Sequence, residues 1–289
     1  MTDNPLSKFM RKPKFYIKIP SNGFYYHNGE LELTDNKEIG ILPMTAMDEI
    51  LLNTPDALLN GEGIKKAIES CVPSVKNAND ILITDFEVFL LAIRKASHGD
   101  EMHFEVDCPK CNKANEYSAS IGSLIETIKP LEPPYSIEIE KGLTVFVKPY
   151  TFRNITLMAL ESIESAKVIK SLNLTGEDVD EVDLMEKLKN EYTNSIKRLA
   201  SIAVESVLDG IDFIEIINEN GEKQKVTDQE FIMSWLENLN KKAVDSIQNK
   251  INEIPAGFDK SLKVQCEHCN HEWDTKVEIN PTDFFELGS

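Results

Sequence analysis

The sequence lacks most of the features by which enzymes and membrane proteins are identified. No apolar run approaches the ~20 residues that a membrane-spanning helix requires. The chain contains no GxSxG, no GxGxxG and no Walker-type phosphate loop, and its 5 histidines form no HExxH or HxE pattern. We therefore expect a protein that is not an enzyme, has no small-molecule substrate and does not act at a membrane.

Positive charge is also scarce, since 31 basic residues face 49 acidic ones and give a net charge of −18. A protein that binds a phosphate backbone needs a basic face. The one basic cluster, residues 8–18, is interrupted by apolar side chains. We expect no direct nucleic-acid binding, and the acidity favours pairing with a basic protein surface.

Cysteine is rare but strongly patterned. Of 5 cysteines, 4 form two CxxC motifs, Cys108/Cys111 and Cys266/Cys269. An alternating apolar strand precedes each motif, and an asparagine and a second strand-like run follow it. This pattern predicts two zinc knuckles whose 4 thiolates complete one tetrahedral site. Because such a site leaves no coordination position open, the single Zn²⁺ is expected to be structural.

Other interpretations of the cysteines are two coincidental pairs, a disulfide, a dithiol redox centre, or a Cys₃His site that uses His271. The N-terminal residues lack the charged-then-apolar pattern of a signal peptide, so we expect a reducing compartment, where disulfides are rare. A redox CxxC should open a helix in a βαβ unit, whereas residues 112–115 indicate a turn between strands. The fifth cysteine, Cys71, lies in an apolar stretch and is expected to be a core residue.

The knuckles are much farther apart than in an ordinary zinc ribbon, where ~15–20 residues separate them. We therefore predict an α+β fold in which a large, mostly helical insertion with short β-hairpins interrupts a zinc ribbon. The predicted segments are a flexible arm, an α+β unit that ends in the first knuckle, the insertion, and the second knuckle with a C-terminal tail. Their bounds are 1–15, 16–120, 121–255 and 256–289.

Local signals predict several helix starts and hairpins. Thr45 with Asp48 resembles an N-cap, and the runs 84–87 and 227–230 resemble capping boxes. The second run is expected to open one helix through residue 251 with a buried apolar stripe that includes Phe231. Hairpins are predicted over 137–147 and 213–226.

The two ends of the chain combine apolar and charged residues in a way that suggests partner contacts. Candidate contacts in the arm are Phe9, Met10, Arg11 and Lys12. Phe284 and Phe285 are candidates in the tail, although they could instead pack on the ribbon. Aromatic and arginine side chains dominate many binding interfaces.

Three stretches resemble the baseplate hub assembly family of T-even-type contractile-tail bacteriophages. The first resembles that family's opening LPS-G-x-x-Y segment, and the third ends in the first CxxC. The stretches are 19–26, 42–73 and 90–111. Beyond about residue 120, the second CxxC and the 281–285 segment extend the resemblance.

The resemblance implies a non-enzymatic protein that acts by contacts with other phage hub or tail proteins, in the host cytoplasm during assembly or in the virion tail baseplate. It leaves open whether the chain stays in the virion or is released as an assembly chaperone. Two other functions remain from the residues alone: a zinc-ribbon accessory factor that binds RNA polymerase, and a CxxC dithiol redox protein.

Overall fold

A computed structural model describes most of the chain: residues 5–27, 29–54, 61–174, 181–218, 220–255 and 257–277. The α-helices within these ranges are α1 Ala46–Leu52, α2 Glu62–Cys71, α3 Ile83–His98, α4 Ile121–Glu126, α5 Phe152–Leu174, α6 Glu181–Asp209, α7 Gln229–Glu237 and α8 Lys241–Asn252. The strands are β1 Phe15–Lys18, β2 Glu38–Ile41, β3 Glu101–Asp107, β4 Ala114–Ser120, β5 Tyr135–Glu140, β6 Leu143–Val147, β7 Ile211–Ile217, β8 Lys223–Val226, β9 Ser261–Gln265 and β10 Glu272–Lys276. This mixture of helices and antiparallel strands confirms the α+β class.

The chain divides into two compact units. The first contains residues 1–131 and 256–289, and the second contains residues 132–255. The first unit therefore contains both CxxC motifs, although they lie at distant points of the sequence. In the described part of the chain, no helix is both long and apolar enough to cross a membrane.

The first unit is built around α3, whose residues from Thr84 to Ile93 are buried except for Glu87. Three two-stranded antiparallel pairs, β1–β2, β3–β4 and β9–β10, belong to the same unit. The β1–β2 pair aligns Phe15 with Ile41 and Lys18 with Glu38. Gly99, at a φ of 102°, ends α3 and leads the chain into β3.

The predicted N-cap of α1 is confirmed. The Thr45 side chain accepts a hydrogen bond from the Asp48 N–H, and the Asp48 carboxylate accepts one from the Thr45 N–H. Asp48 is buried and also contacts the arm, because Arg11 lies 3.5 Å from its carboxylate. The same guanidinium donates to the carbonyl groups of Pro43 and Ser70. Arg11 therefore fixes residue 11 beside α1 and α2.

The predicted capping box at residues 84–87 is wrong. Helix α3 begins two residues earlier, at Ile83, and its N-cap, Leu82, makes no side-chain cap. The carboxylate of Asp85 is buried and accepts hydrogen bonds from the Ser21 N–H and the Tyr26 hydroxyl. Asp85 therefore fixes the 19–26 loop through these two hydrogen bonds. These tertiary contacts are present in place of the predicted local cap.

Burial raises the pKa of Asp85 to about 6, although the hydrogen bonds from Ser21 and Tyr26 oppose that shift. The folded pKa lies above the unfolded one, so the folded state binds more protons between about pH 4 and pH 6. This carboxyl therefore contributes more to stability in acid than at neutral pH. Its contribution should fall by about 1–2 kcal/mol as pH rises from 5 to 7.

Asp85→Asn should remove this component, because an amide does not titrate. Urea unfolding of both proteins at pH 5 and pH 7 measures it as a change in their stability difference, in favour of the wild type at the lower pH. Glu105→Gln, at an exposed position of β3, is the matched control and should show little change. A pH-independent difference between Asp85→Asn and the wild type would contradict the buried-carboxyl interpretation.

The second unit contains one four-stranded antiparallel sheet in the order β5-β6-β7-β8. The two predicted hairpins are both present, and the pairing of β6 with β7 joins them into this sheet. Helix α8 packs against β5 and β6. Val145 and Ile214 are buried within the unit, as is Ile247 of the helix.

The predicted single helix over 227–251 is wrong in three respects. It is divided into α7 and α8, because the side chain of Asn240 caps a new helix. The N-cap of α7 is Asp228 rather than Thr227, and it accepts hydrogen bonds from two backbone N–H groups. Phe231 is 69% exposed, so it does not belong to the buried stripe. Ile232 and Leu236 are the buried residues of α7.

Candidate metal centre

Two β-hairpins in the first unit carry the CxxC motifs at their turns. Strands β3 and β4 pair from Glu101↔Ser120 to Asp107↔Ala114, directly beside the first motif. Strands β9 and β10 pair up to Gln265↔Glu272, directly beside the second. Each motif therefore lies at the end of a paired ladder, and the ladder fixes the direction of its cysteines.

The two turns have the same backbone structure. The N–H of Asn112 donates to the carbonyl of Cys108, and the N–H of Asn270 donates to the carbonyl of Cys266, both at 2.9 Å. The two asparagines have φ values of 54° and 55°, in the left-handed region that asparagine tolerates better than most residues. A local sequence signal therefore produces the same knuckle twice.

The four predicted ligand cysteines lie together. Their sulfur atoms all lie within 4.8 Å of one another. The Sγ atoms of Cys108 and Cys269 are 3.7 Å apart, and those of Cys111 and Cys266 are 3.6 Å apart. A tetrahedral ion with four Zn–S bonds of about 2.3 Å requires S···S edges of about 3.8 Å. The donor set and its spacing fit such an ion.

The geometry also bears on the alternatives. Separations of 3.6 and 3.7 Å are far longer than the ~2.05 Å of a disulfide bond. Both short separations join different motifs, whereas a CxxC redox centre pairs its own two sulfurs. The ring of His271 stacks on Trp273, with centroids 5.9 Å apart. The arrangement is that of a shared four-sulfur site.

The thiols of Cys266 and Cys111 have pKa values shifted in opposite directions. Burial disfavours the thiolate of Cys266, but two backbone N–H groups and two neighbouring thiols donate hydrogen bonds to its sulfur and lower its pKa to about 6. A backbone N–H lowers the pKa of Cys111. Burial and the hydrogen bonds with the other thiols outweigh this effect and raise the pKa to about 12. A bound dication reverses this resistance to ionisation, because it stabilises every thiolate. Metal binding by these thiols would therefore release protons and would weaken in acid.

The side chains that join the two knuckles could not be predicted from the sequence. Asn115 is buried and bridges them: its amide oxygen accepts from the N–H of Glu267, and its amide nitrogen donates to the carbonyl of Lys113. The Tyr117 hydroxyl donates to the carbonyl of Gln265 at 3.0 Å. Because both links are long-range, no local pattern shows them.

Asn115→Ala should weaken metal affinity about 10- to 100-fold, the range typical of residues that orient metal ligands. The reason is that the substitution leaves a backbone N–H and a backbone carbonyl without their partner beside the sulfurs. Competition with a chromogenic chelator measures the change. Ser118→Ala, at an exposed position of the same strand, should keep the wild-type affinity. Equal affinities for Asn115→Ala and Ser118→Ala would show that the bridge does not support the site.

The predicted partner contacts are placed as follows. Phe9 is 75% exposed, Met10 is 56% exposed, and Lys12 is exposed. Arg11 instead makes contacts within the chain, with Pro43, Ser70 and Asp48. Phe284 and Phe285 lie outside the described residues, and the proposed role of the arm and tail in binding stays a prediction.

The chain matches a known protein family. A model described as T4 bacteriophage base plate protein matches residues 27–204 and 201–286. These segments extend from the loop after β1 to beyond the second CxxC motif. No curated protein and no solved structure matches the chain.

Proposed function

The chain belongs to the T4 bacteriophage base plate protein family, and we propose that within this structural role it builds, or forms part of, the baseplate hub. The observation that carries the proposal is the family match, which covers both units. Such a protein acts through its surfaces on other hub and tail proteins. It performs this role without catalysis, in the host cytoplasm during assembly, and either stays in the tail baseplate or is released as an assembly chaperone.

We further propose that the four cysteines hold one structural Zn²⁺. The supporting observation is the set of S···S separations, which match the ligand-to-ligand distances around an ion with four tetrahedral sulfur ligands. Four sulfurs in this geometry suit zinc, and also iron, so metal analysis must distinguish them. When bound, the ion neutralises part of the thiolate charge and joins two segments that are remote in sequence.

The two other functions have less support. A factor that binds RNA polymerase explains a zinc ribbon but not the match to a baseplate family. A dithiol redox protein requires sulfur pairing within one CxxC, whereas the short separations lie between the motifs. A baseplate hub protein with one shared four-cysteine site is compatible with both the family match and the short sulfur separations between the motifs.

Fractionation of infected cells tests the hub assignment. A tagged copy of the full chain should sediment with baseplate intermediates and should co-purify with hub and tail proteins identified by mass spectrometry. In a phage that lacks the gene, assembly should stop before a complete baseplate, and the purified chain added to the extract should restore it.

A tagged, unrelated protein of similar acidity is the control for nonspecific sedimentation. Co-purification with RNA polymerase, with no association with baseplate intermediates, would overturn the proposal. Detection in mature tails would distinguish a virion component from a released assembly factor.

A further inference from the structure

The exposed large apolar side chains of the first unit are concentrated at one end of its sequence. Among the described residues of this unit, all of them precede residue 51: Leu6, Phe9, Met10, Tyr16, Phe24, Met47 and Ile50. Scattered single apolar residues are normal on a protein surface, whereas a concentration of them marks a binding surface.

The same part of the chain carries an unusual charge. Residues 4–29 contain 5 basic residues and no acidic one, in a protein of net charge −18. Lys8, Lys12 and Lys14 are exposed, and none of them forms an ion pair with a carboxylate within the described ranges. Elsewhere in the unit, by contrast, Lys95 pairs with Asp100 and Lys260 pairs with Glu87.

Arg11, which follows Phe9 and Met10 in the arm, fixes the arm to the body of the unit. Arg11 binds the carbonyl of Pro43 at 2.7 Å and approaches the Asp48 carboxylate. Asp48 directly follows Met47 on α1, and Met47 and Ile50 are three residues apart on that helix. Side chains at this spacing share one helix face, and both are more than 60% exposed. The Arg11 contacts therefore place residue 11 of the arm beside α1, the helix that carries this apolar pair.

We propose that this region is a docking surface for an acidic segment, with exposed apolar side chains, of another baseplate protein. The basic apolar surface consists of Lys8, Phe9, Met10, Lys12, Met47 and Ile50. Its lysines supply charge that no carboxylate in the described part of the chain pairs, and its apolar side chains supply area to bury. This inference names the partner chemistry of the proposed function and rests on it.

Charge complementarity favours a short protein segment over the other occupants. Two copies of a chain with net charge −18 repel each other. A nucleic acid or an anionic bilayer extends far beyond five basic residues and meets the acidic remainder of the protein. An acidic peptide segment matches the limited extent of the basic apolar surface.

Carbodiimide cross-linking on baseplate intermediates from infected cells tests the inference directly, because this reagent joins a lysine amine to a carboxylate in contact with it. Mass spectrometry should find cross-links from Lys8, Lys12 or Lys14 to Asp or Glu residues of another baseplate protein. Cross-links from these lysines only to a second copy of this chain would overturn the inference.

Two double variants should weaken co-sedimentation with these intermediates. Lys8→Glu/Lys12→Glu should reduce association about 100-fold, since like charges then face each other. Phe9→Ser/Met10→Ser should reduce it about tenfold or more. The matched controls, Lys241→Glu/Lys242→Glu and Phe231→Ser, change exposed residues of the second unit and should behave as the wild type. Circular dichroism and metal content confirm that each variant is folded.

The outcomes separate this inference from the hub assignment. If the wild type and both surface variants co-sediment equally, the inference is overturned and the hub assignment stands. If the wild type does not associate with baseplate intermediates at all, the hub assignment fails and this inference fails with it. Binding of the wild type, but not of the lysine variant, to vesicles of phosphatidylglycerol or to DNA at physiological salt would also overturn the inference that the partner is a protein segment.

Discussion

Cys108→Ser and Cys269→Ser are each expected to reduce the zinc content from about one per chain to near none. The two residues lie in different motifs, yet their sulfurs are 3.7 Å apart and belong to one four-sulfur group. Removing either sulfur opens the tetrahedron, and a three-sulfur site holds zinc much less tightly. Elemental analysis after gel filtration in a weak chelator measures the loss.

Cys71→Ala is the matched control. Cys71 is fully buried and does not belong to the four-sulfur group. Burial raises the pKa of its thiol to about 11. This variant should keep its zinc and lose a little stability, through the small cavity left by the sulfur and the loss of the Arg11 contact with it. If a cysteine variant of one motif lost zinc while that of the other kept it, the two motifs would not share an ion.

Chelation of the metal is expected to destabilise both hairpins together. Structural zinc sites in small peptides have apparent binding free energies of about 10–16 kcal/mol at neutral pH, and this energy is coupled to folding. Amide exchange should therefore accelerate strongly in β3–β4 and in β9–β10, although these pairs are remote in sequence. Hydrogen exchange with mass spectrometry, with and without a strong chelator, measures the change.

The sheet of the second unit is the internal control, because it contains none of the four cysteines. Strands β6 and β7, at the centre of that sheet, should keep their protection after chelation. A chelated protein in which β3–β4 opens while β9–β10 stays protected would mean that the hairpins fold independently.

The cluster of four cysteines could be predicted because its determinants are local. Each knuckle needs a CxxC turn, an asparagine that tolerates positive φ, and two flanking strands, all within a few residues. The Asn115 amide and the Tyr117 hydroxyl could not be predicted, because their partners belong to the other knuckle. Sequence patterns therefore identified the four clustered cysteines but not the groups that hold the two knuckles together.

The fold shows the same division between local and long-range determinants. The cap at Thr45 was predicted because donor and acceptor are three residues apart. The capping box at residues 84–87 was wrong because Asp85 accepts hydrogen bonds from the distant loop at Ser21 and Tyr26. The two hairpins of the second unit were predicted, but their union through β6 and β7 was not, since long helices separate those strands in the sequence.

X-ray absorption at the zinc edge, combined with elemental analysis of the wild-type chain, tests whether the four cysteines hold one zinc ion. We expect one zinc per chain with four sulfur neighbours at about 2.3 Å. Two zinc ions per chain, iron in place of zinc, a mixed nitrogen and sulfur shell, or a folded chain free of metal would contradict it.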